Sequence, residues 1–289
     1  MTSITSAKSK KIVLQGPRRL EFETPAIMGI LNITPDSFSD GGRYFSWSAA
    51  LNRAKEMIQE GADIIDVGGE SSRPGSEPVS LEDELQRVVP MVKALRQFSQ
   101  TAISVDTTKA EVARRSLEAG ADVINDISAL RFDREMVAVV RDFGALVVLM
   151  HMLGAPKTMQ QAPYYDDCVA EIFRFFEERV EFCLGQGISR GRIILDPGIG
   201  FGKRLEDNIE ILNHLERFRQ IGFPLMIGTS RKSFIGLITG VTDAPEKRIG
   251  GSIASALLGM QKGADILRVH DVAITIEAIK VFEAMTKAD

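Results

Sequence analysis

"EGADIIDVGG", Glu60 to Gly69, is the stretch on which the fold turns. A glycine precedes a short β-rich apolar run, and two more glycines close it. Glycine is favoured just past a helix, where the backbone turns left-handed, so the phrase reads as a helix end feeding a strand. It recurs as "EAGADVINDIS" from Glu118 and "KGADILRVHD" from Lys262, and more loosely as "FGALVVLMH" from Phe143, "GRIILDPG" from Gly191 and "IGFPLMIGTS" from Ile221. These runs are too short and too uniformly apolar for strands with one wet face. They fit parallel strands covered on both faces. Amphipathic helical patterns fill the gaps, among them "SAALNRAKEMIQE" ending at Glu60, "EDELQRVVPMVKALRQF" ending at Phe98 and "CVAEIFRFFEERVEFCL" ending at Leu184.

With "AIMGILN" (Ala26 to Asn32) and "AISVDT" (Ala102 to Thr107), the strands number eight, each followed by helix. This predicts an α/β protein built as a (β/α)8 TIM barrel. A doubly wound open sheet is the alternative; the lack of an early G-x-G-x-x-G turn counts against it without excluding it. "KIVLQGPRRLEF" has two alternating runs about a Gly-Pro turn and predicts a β-hairpin before the first barrel strand, at the bottom of the barrel. Residues 1–11 read as a flexible tail and 12–289 as a single domain.

The 289 residues carry a formal net charge of −4, with 44% hydrophobic and 26% charged. An acidic chain is a poor general binder of nucleic acid, so any polyanion it holds should be small and locally gripped. No apolar run is long enough to span a bilayer, and "MTSITSAKSKK" lacks the apolar core of a secretory signal. The expectation is a cytoplasmic protein with no membrane partner. Cys168 and Cys183, the only two cysteines, fall in one helical pattern too far apart to bridge, and read as reduced packing thiols.

A barrel works at the C-terminal ends of its strands. There the chain delivers Asn32 before "ITPDSFSDGG", then "GGESSRPGSEP", Asp106, Asn125 with Asp126, His151, Asp196 before "PGIGFGK", Arg231 and Lys232, and Arg268 with His270. A lone Asp or Asn at a strand end is commonly a helix N-cap, a role that suits Asp126 and Thr108. Asp106, Asn125 and Asp196 lie within or just after apolar runs, where an unpartnered polar group is costly. Three such groups in one mouth, with Lys232 as a donor, match a flat heterocycle with an amino-pyrimidinone edge. Arg73, Arg268, His270, Ser71 and Ser72 suit a phosphate or diphosphate. Two phosphates call for a divalent cation, to which Asn32 offers a neutral oxygen. His270 as a zinc ligand has little support, since three histidines stand without ligand spacing. The two long loops after the first and second strands read as lids that exclude water, the second carrying an anion-binding arginine.

In order along the chain, "GILNITPDSFSDGG", "VGGESSRPG", "SVDT", "INDIS", "LMHMLGAPKTMQ", "LDPGIGFGK", "GTSRKSFIG" and "LRVHD" resemble the motifs of the dihydropteroate synthases, from Ile27 to Phe282. The resemblance implies a (β/α)8 barrel that joins (7,8-dihydropterin-6-yl)methyl diphosphate to 4-aminobenzoate, giving 7,8-dihydropteroate and diphosphate, with Mg2+ required. Carried over motif by motif, Asp106, Asn125, Asp196 and Lys232 hold the pterin. Asn32, Ser72, Arg73, Arg268 and His270 hold the diphosphate, Asn32 through the metal. Phe38, Phe201 and Ser233 line the aminobenzoate site, and Asp36 stabilises the cationic pterin methylene. Asp36, Asp106 and Lys232 are the catalytic set. Ser72 stands where the family commonly has threonine, keeping the hydroxyl and losing the methyl. A methyltetrahydrofolate-dependent methyltransferase would use the Asp/Asn pocket but not the diphosphate cluster. A non-catalytic relative would show damaged loops, whereas Asn32, Asp36 and Arg73 are all present. The family also implies a homodimer through the last helices. "GGSIASALLGMQKGA" suits a partner, though packing on its own barrel would look the same.

Overall fold

In the computed structural model, which describes residues 11–33, 43–71 and 75–286, each Gly-Ala-Asp phrase does two jobs. Gly61, Gly120 and Gly263 take left-handed backbone at φ 103°, 107° and 98°, which turns the chain from helix to strand. The aspartate two residues on then accepts the N–H that opens the preceding strand. Asp63 takes Ile27 N at 2.8 Å, Asp122 takes Ile103 N at 2.9 Å and Asp265 takes Leu225 N at 3.0 Å. A recurrent carboxylate thus caps orphan strand donors at the bottom of the barrel.

The chain opens with the hairpin β1 (Lys11–Gln15) and β2 (Arg19–Glu23), so Lys11 belongs to the hairpin and not to the tail. The barrel follows as β3 (Ala26–Asn32), α1 (Arg43–Glu60), β4 (Ile64–Gly68), α2 (Leu81–Phe98), β5 (Ala102–Asp106), α3 (Ala110–Glu118), β6 (Val123–Asp126), α4 (Met136–Phe143), β7 (Leu146–Met150) and α5 (Cys168–Gly185). It is completed by β8 (Ile193–Asp196), α6 (Leu205–Asn213), α7 (Leu215–Phe218), β9 (Met226–Ile227), α8 (Ser233–Thr239), α9 (Ile249–Gln261), β10 (Ile266–Val269) and α10 (Val272–Thr286). The eight strands β3 to β10 pair in parallel, and a bridge between Leu195 and Leu225 joins β8 to β9.

The hairpin is the barrel's floor. Its alternation buries Ile12, Leu14, Leu20 and Phe22 against Ile64, Val123, Ile194 and Ile266 at the strand starts. Each such side chain contributes about 1.5–3 kcal/mol, an upper bound because the unfolded chain is already partly compact. Arg18 in the turn clamps Asp122 with bonds of 2.7 and 3.0 Å.

Two local expectations change. Thr108 does not cap α3; Lys109 N is met by Thr107 Oγ1 at 3.2 Å, and Ala110 N by Asp133 at 2.8 Å. Asp126 caps the turn after β6, accepting from Ser128 N and Leu130 N at 2.7 and 3.0 Å, well before α4 begins. The small residues of α9 seat it on its own barrel. A Cβ at Gly251 would lie 2.3 Å from Ile235, and one at Gly259 would lie 2.0 Å from Ile227. Cys168 and Cys183 are buried, unbridged thiols on α5, and burial pushes them up to about 12 and about 11, so they stay protonated packing groups. Among the described residues, no helix is long and apolar enough to cross a membrane.

Candidate active site

Barrel strands are staggered, so a layer of inward side chains climbs as it passes round the wall. Asp66 on β4 pairs through Ser104 to Val123, and Asn125 stands two residues above Val123. The same step leads from Asn125 to Asp196 on β8, to Arg268 on β10 and back to Asp66. The layer below it on these strands is Ile64, Val123, Ile194 and Ile266, all apolar. One layer of charged and amide side chains therefore lies across the barrel just under its mouth, directly above an apolar one.

That layer is bonded to itself. Arg268 Nε donates to Asp66 Oδ2 at 2.7 Å, and Arg268 Nη2 approaches the same oxygen at 2.6 Å. Arg268 Nη2 also donates to Asp106 Oδ2 at 2.9 Å, and Asn125 Nδ2 donates to Asp66 Oδ2 at 3.1 Å. Asp196 accepts from Gly198 N at 2.8 Å. The cleft above is lined by Asp106, Asn125, Asp196, Lys232 and Arg268, with Ile127, Met150, Ile199 and Phe201 as apolar walls. Burial, only partly offset by Arg268 and reinforced by Asp66, pushes Asp106 up to about 7. Burial also raises Asp196, against the Gly198 N–H and Lys232. These carboxylates have lost water and gained too few charges to replace it, a condition met by a ligand rich in N–H groups.

The loop after β8 forms one side of the cleft. Gly198, Gly200 and Gly202 are left-handed at φ 68°, 81° and 63°. A Cβ at Gly198 would meet the His151 carbonyl at 2.0 Å, and one at Gly202 would meet the Leu153 carbonyl at 2.5 Å. Only glycine lets this loop lie on the neighbouring backbone. Lys203 fastens it from below, within 3.0 Å of His151 Nδ1 and donating to the carbonyls of Phe201 at 3.0 Å and His151 at 3.3 Å. Burial lowers Lys203 to about 7 and lowers His151 well below its usual range. The loop's product is the Phe201 ring, which lies 3.9 Å beneath Lys232 Nζ.

The structure thus brings together Asp106, Asn125, Asp196, Lys232, Phe201 and Arg268. Arg268, expected on the diphosphate, has its guanidinium on Asp66 and Asp106 at the cleft wall. His270 stands one position past β10, its Nδ1 3.0 Å from Ser230 Oγ. Asn32 is exposed at the end of β3, and Ser233 is exposed as the first residue of α8. Asp36, Phe38, Ser72 and Arg73 lie outside the described residues, as do the readings of the two loops as lids. The root of the second loop is held: Lys109 joins Glu70 to the buried Glu84, and Arg87 donates to Gly69 O at 2.8 Å. Three residues escaped the sequence reading as site components. They are Asp66, the acceptor at the centre of the polar layer, and the buried pair Lys203 and His151, the latter seen only as a rim group.

Known proteins resemble this chain over nearly its whole length. The pattern of the pterin binding enzymes matches residues 28–270. A dihydropteroate synthase of Escherichia coli (strain K12) is 49% identical over 278 residues, which is 96% of this chain and 97% of that one. The Xanthomonas albilineans dihydropteroate synthase with 4-aminobenzoic acid superposes with a TM-score of 0.89 at 45% identity, covering 97% of this chain and 100% of that one. The same organism's enzyme in complex with 7,8-dihydropteroate gives a TM-score of 0.83 at 44% identity, covering 94% and 97%.

Proposed function

Since the chain belongs to the pterin binding enzymes, and among them to the dihydropteroate synthases, we propose how its cleft carries out the family's reaction. It condenses (7,8-dihydropterin-6-yl)methyl diphosphate with 4-aminobenzoate, giving 7,8-dihydropteroate and diphosphate. The observation that carries the reading is the polar layer with Lys232 above it, buried acceptors among which Lys232 and Arg268 are the cationic donors.

Asp196 and Asn125 accept the pterin's N–H groups and Lys232 donates to its carbonyl. Phe201 holds Lys232 from beneath and offers an apolar wall to the aminobenzoate, whose site Ser233 and Phe38 complete. Asp106 titrates near neutrality and meets the ring at its reduced side. Arg268 and His270, with Ser72 and Arg73 of the second loop, face the diphosphate. As the C–O bond to diphosphate breaks, negative charge grows on the leaving oxygens, and these groups stabilise it. Positive charge is left on the pterin methylene, and Asp36 stabilises that. The aromatic amine adds its lone pair to the methylene carbon and loses a proton, forming the C–N bond. Positioning supplies much of the rate, because the amine needs little activation.

Among the described residues, no group of three His, Cys, Asp or Glu side chains could cage a cation. Asn32 offers one neutral oxygen at the rim. That donor set fits Mg2+ brought in on the diphosphate, with phosphates and water as its main ligands. When bound, the ion neutralises the leaving group. A homodimer is the proposed assembly. With the small residues of α9 used on the barrel, its apolar surface is the α10 face around Ile274, Val281 and Met285.

The test is diphosphate release on mixing the two substrates with Mg2+. Release that depends on the amine and on Mg2+ is expected; a methyltransferase would release none.

A further inference from the structure

We propose that Asp66 is a positioning residue that sets the polarity of the pterin pocket. By taking the NH2 of Asn125, it turns the amide so that Oδ1 is the acceptor offered to the substrate's amino edge. This rests on the assignment of the cleft to the pterin and adds to it a residue that touches no substrate.

An asparagine amide is nearly symmetric in shape and opposite in polarity at its two ends, so something must choose which end faces the ligand. Asp66 is fully buried and does not line the cleft. Its Oδ2 receives Arg268 Nε at 2.7 Å and lies 2.6 Å from Arg268 Nη2. A carboxylate held by a guanidinium has only acceptors to offer, so the end of Asn125 at 3.1 Å from that oxygen must be Nδ2. The opposite orientation would put a carbonyl oxygen against a charged carboxylate in a dry layer. Asn125 Oδ1 is then left buried and without a partner among the described residues, on a side chain that lines the cleft. A buried carbonyl with no donor is costly, and a ligand N–H relieves that cost. Arg268 belongs to the same device, since its hold on Asp66 fixes the rotamer of the acceptor.

Calorimetry with 6-hydroxymethylpterin and with 6-hydroxymethyllumazine, in which a carbonyl replaces the 2-amino group, tests the proposal on the whole protein. The wild type should prefer the pterin by about 100-fold or more, because a site built for an N–H rejects its absence strongly. In Asp66→Ala nothing holds the amide, and the preference should fall by about tenfold or more. Asp66→Asn keeps a carbonyl that Arg268 draws toward itself, and should keep the preference to within about threefold. If Asp66→Ala weakens both probes equally, Asp66 is merely structural and the proposal is overturned. If the wild type prefers neither probe, the pterin assignment itself falls, and the proposal with it. Should the alanine variant not fold, neutron diffraction from deuterium-exchanged wild-type crystals decides. Two deuterons on the Asn125 atom facing Asp66 support the proposal, and a bare oxygen there overturns it.

Discussion

Arg268→Ala removes the one cation that two acidic side chains share. Asp66 is fully buried and the Asp106 side chain is 11% exposed, with Arg268 at 2.6 and 2.9 Å from them. Breaking a buried pair by deleting one partner costs about 3–5 kcal/mol, because the charge left behind has no water to replace it. Unfolding entropy of about 2.1 cal/mol/K per residue over 289 residues comes to about 0.6 kcal/mol/K, so the melting temperature should fall by about 5–8 °C. The loss should also depend on pH, in a definite direction. Asp106 is already raised to about 7, chiefly by burial and against the pull of Arg268, so removing the arginine raises it further. A carboxyl with a raised folded pKa binds protons more tightly in the native state, so its stability contribution falls as pH climbs from the unfolded value toward the folded one. The deficit of Arg268→Ala relative to wild type should therefore be small near pH 5 and full above pH 8. Thermal melts of both proteins across that range measure it. A deficit independent of pH, or one below about 1 kcal/mol at pH 8, would refute the shared-cation reading.

Asp196→Ala should weaken binding of 6-hydroxymethylpterin by about 30-fold or more, as loss of a desolvated charged partner does; near-native affinity in calorimetry would sink the pocket assignment. Gly198→Ala places a Cβ 2.0 Å from the His151 carbonyl at φ 68°, so it should cost more than about 2 kcal/mol in urea unfolding. Gly250→Ala, in α9 with open space around it, should be neutral or stabilising by up to about 1 kcal/mol, and a similar cost at both sites would count against the close-approach account. Lys203 is lowered to about 7 by burial, so the unfolded chain binds its proton more tightly and wild-type stability should rise from pH 7 toward 10. Lys203→Met should lack that rise, and a wild-type minus variant difference that stays flat with pH would mean the amine is not buried as described.

The barrel was legible because its strands announce themselves with glycine, alanine and aspartate, and because two-sided burial leaves no polar alternation to confuse the reading. Asp106, Asn125 and Asp196, which the structure sets in one cleft, were legible for a related reason, since polar groups at the ends of apolar runs stand out; Lys232, past the end of β9, was legible only as a charge in the turn that follows. Asp66 was not, although its signal is present. Counted from the glycine of the recurring phrase, Asp66, Asn125 and Arg268 hold the same place, and equal places on alternate strands become one layer once the stagger is known. Only the closed barrel supplies that stagger. Lys203 and His151 stand 52 residues apart, and no local pattern joins them. Thr108 failed as a cap because α3 begins only at Ala110, whose N–H goes to Asp133, a pairing across 23 residues that sequence does not record.

The hairpin floor makes the barrel a cul-de-sac. With Ile12, Leu14, Leu20 and Phe22 sealing one end, everything that enters must leave by the way it came. Traffic in a blind tube is a queue: what goes deepest goes first. Asn125 and Asp196 are 3% and 4% exposed, whereas Ser233 stands in the open at the rim. A molecule parked on the rim therefore shuts in whatever lies beneath it. A compound shaped like the second substrate but unable to react should act less as a competitor than as a cork. It would lengthen the residence of the pterin below it, and that dwell time would register in single-molecule or exchange measurements.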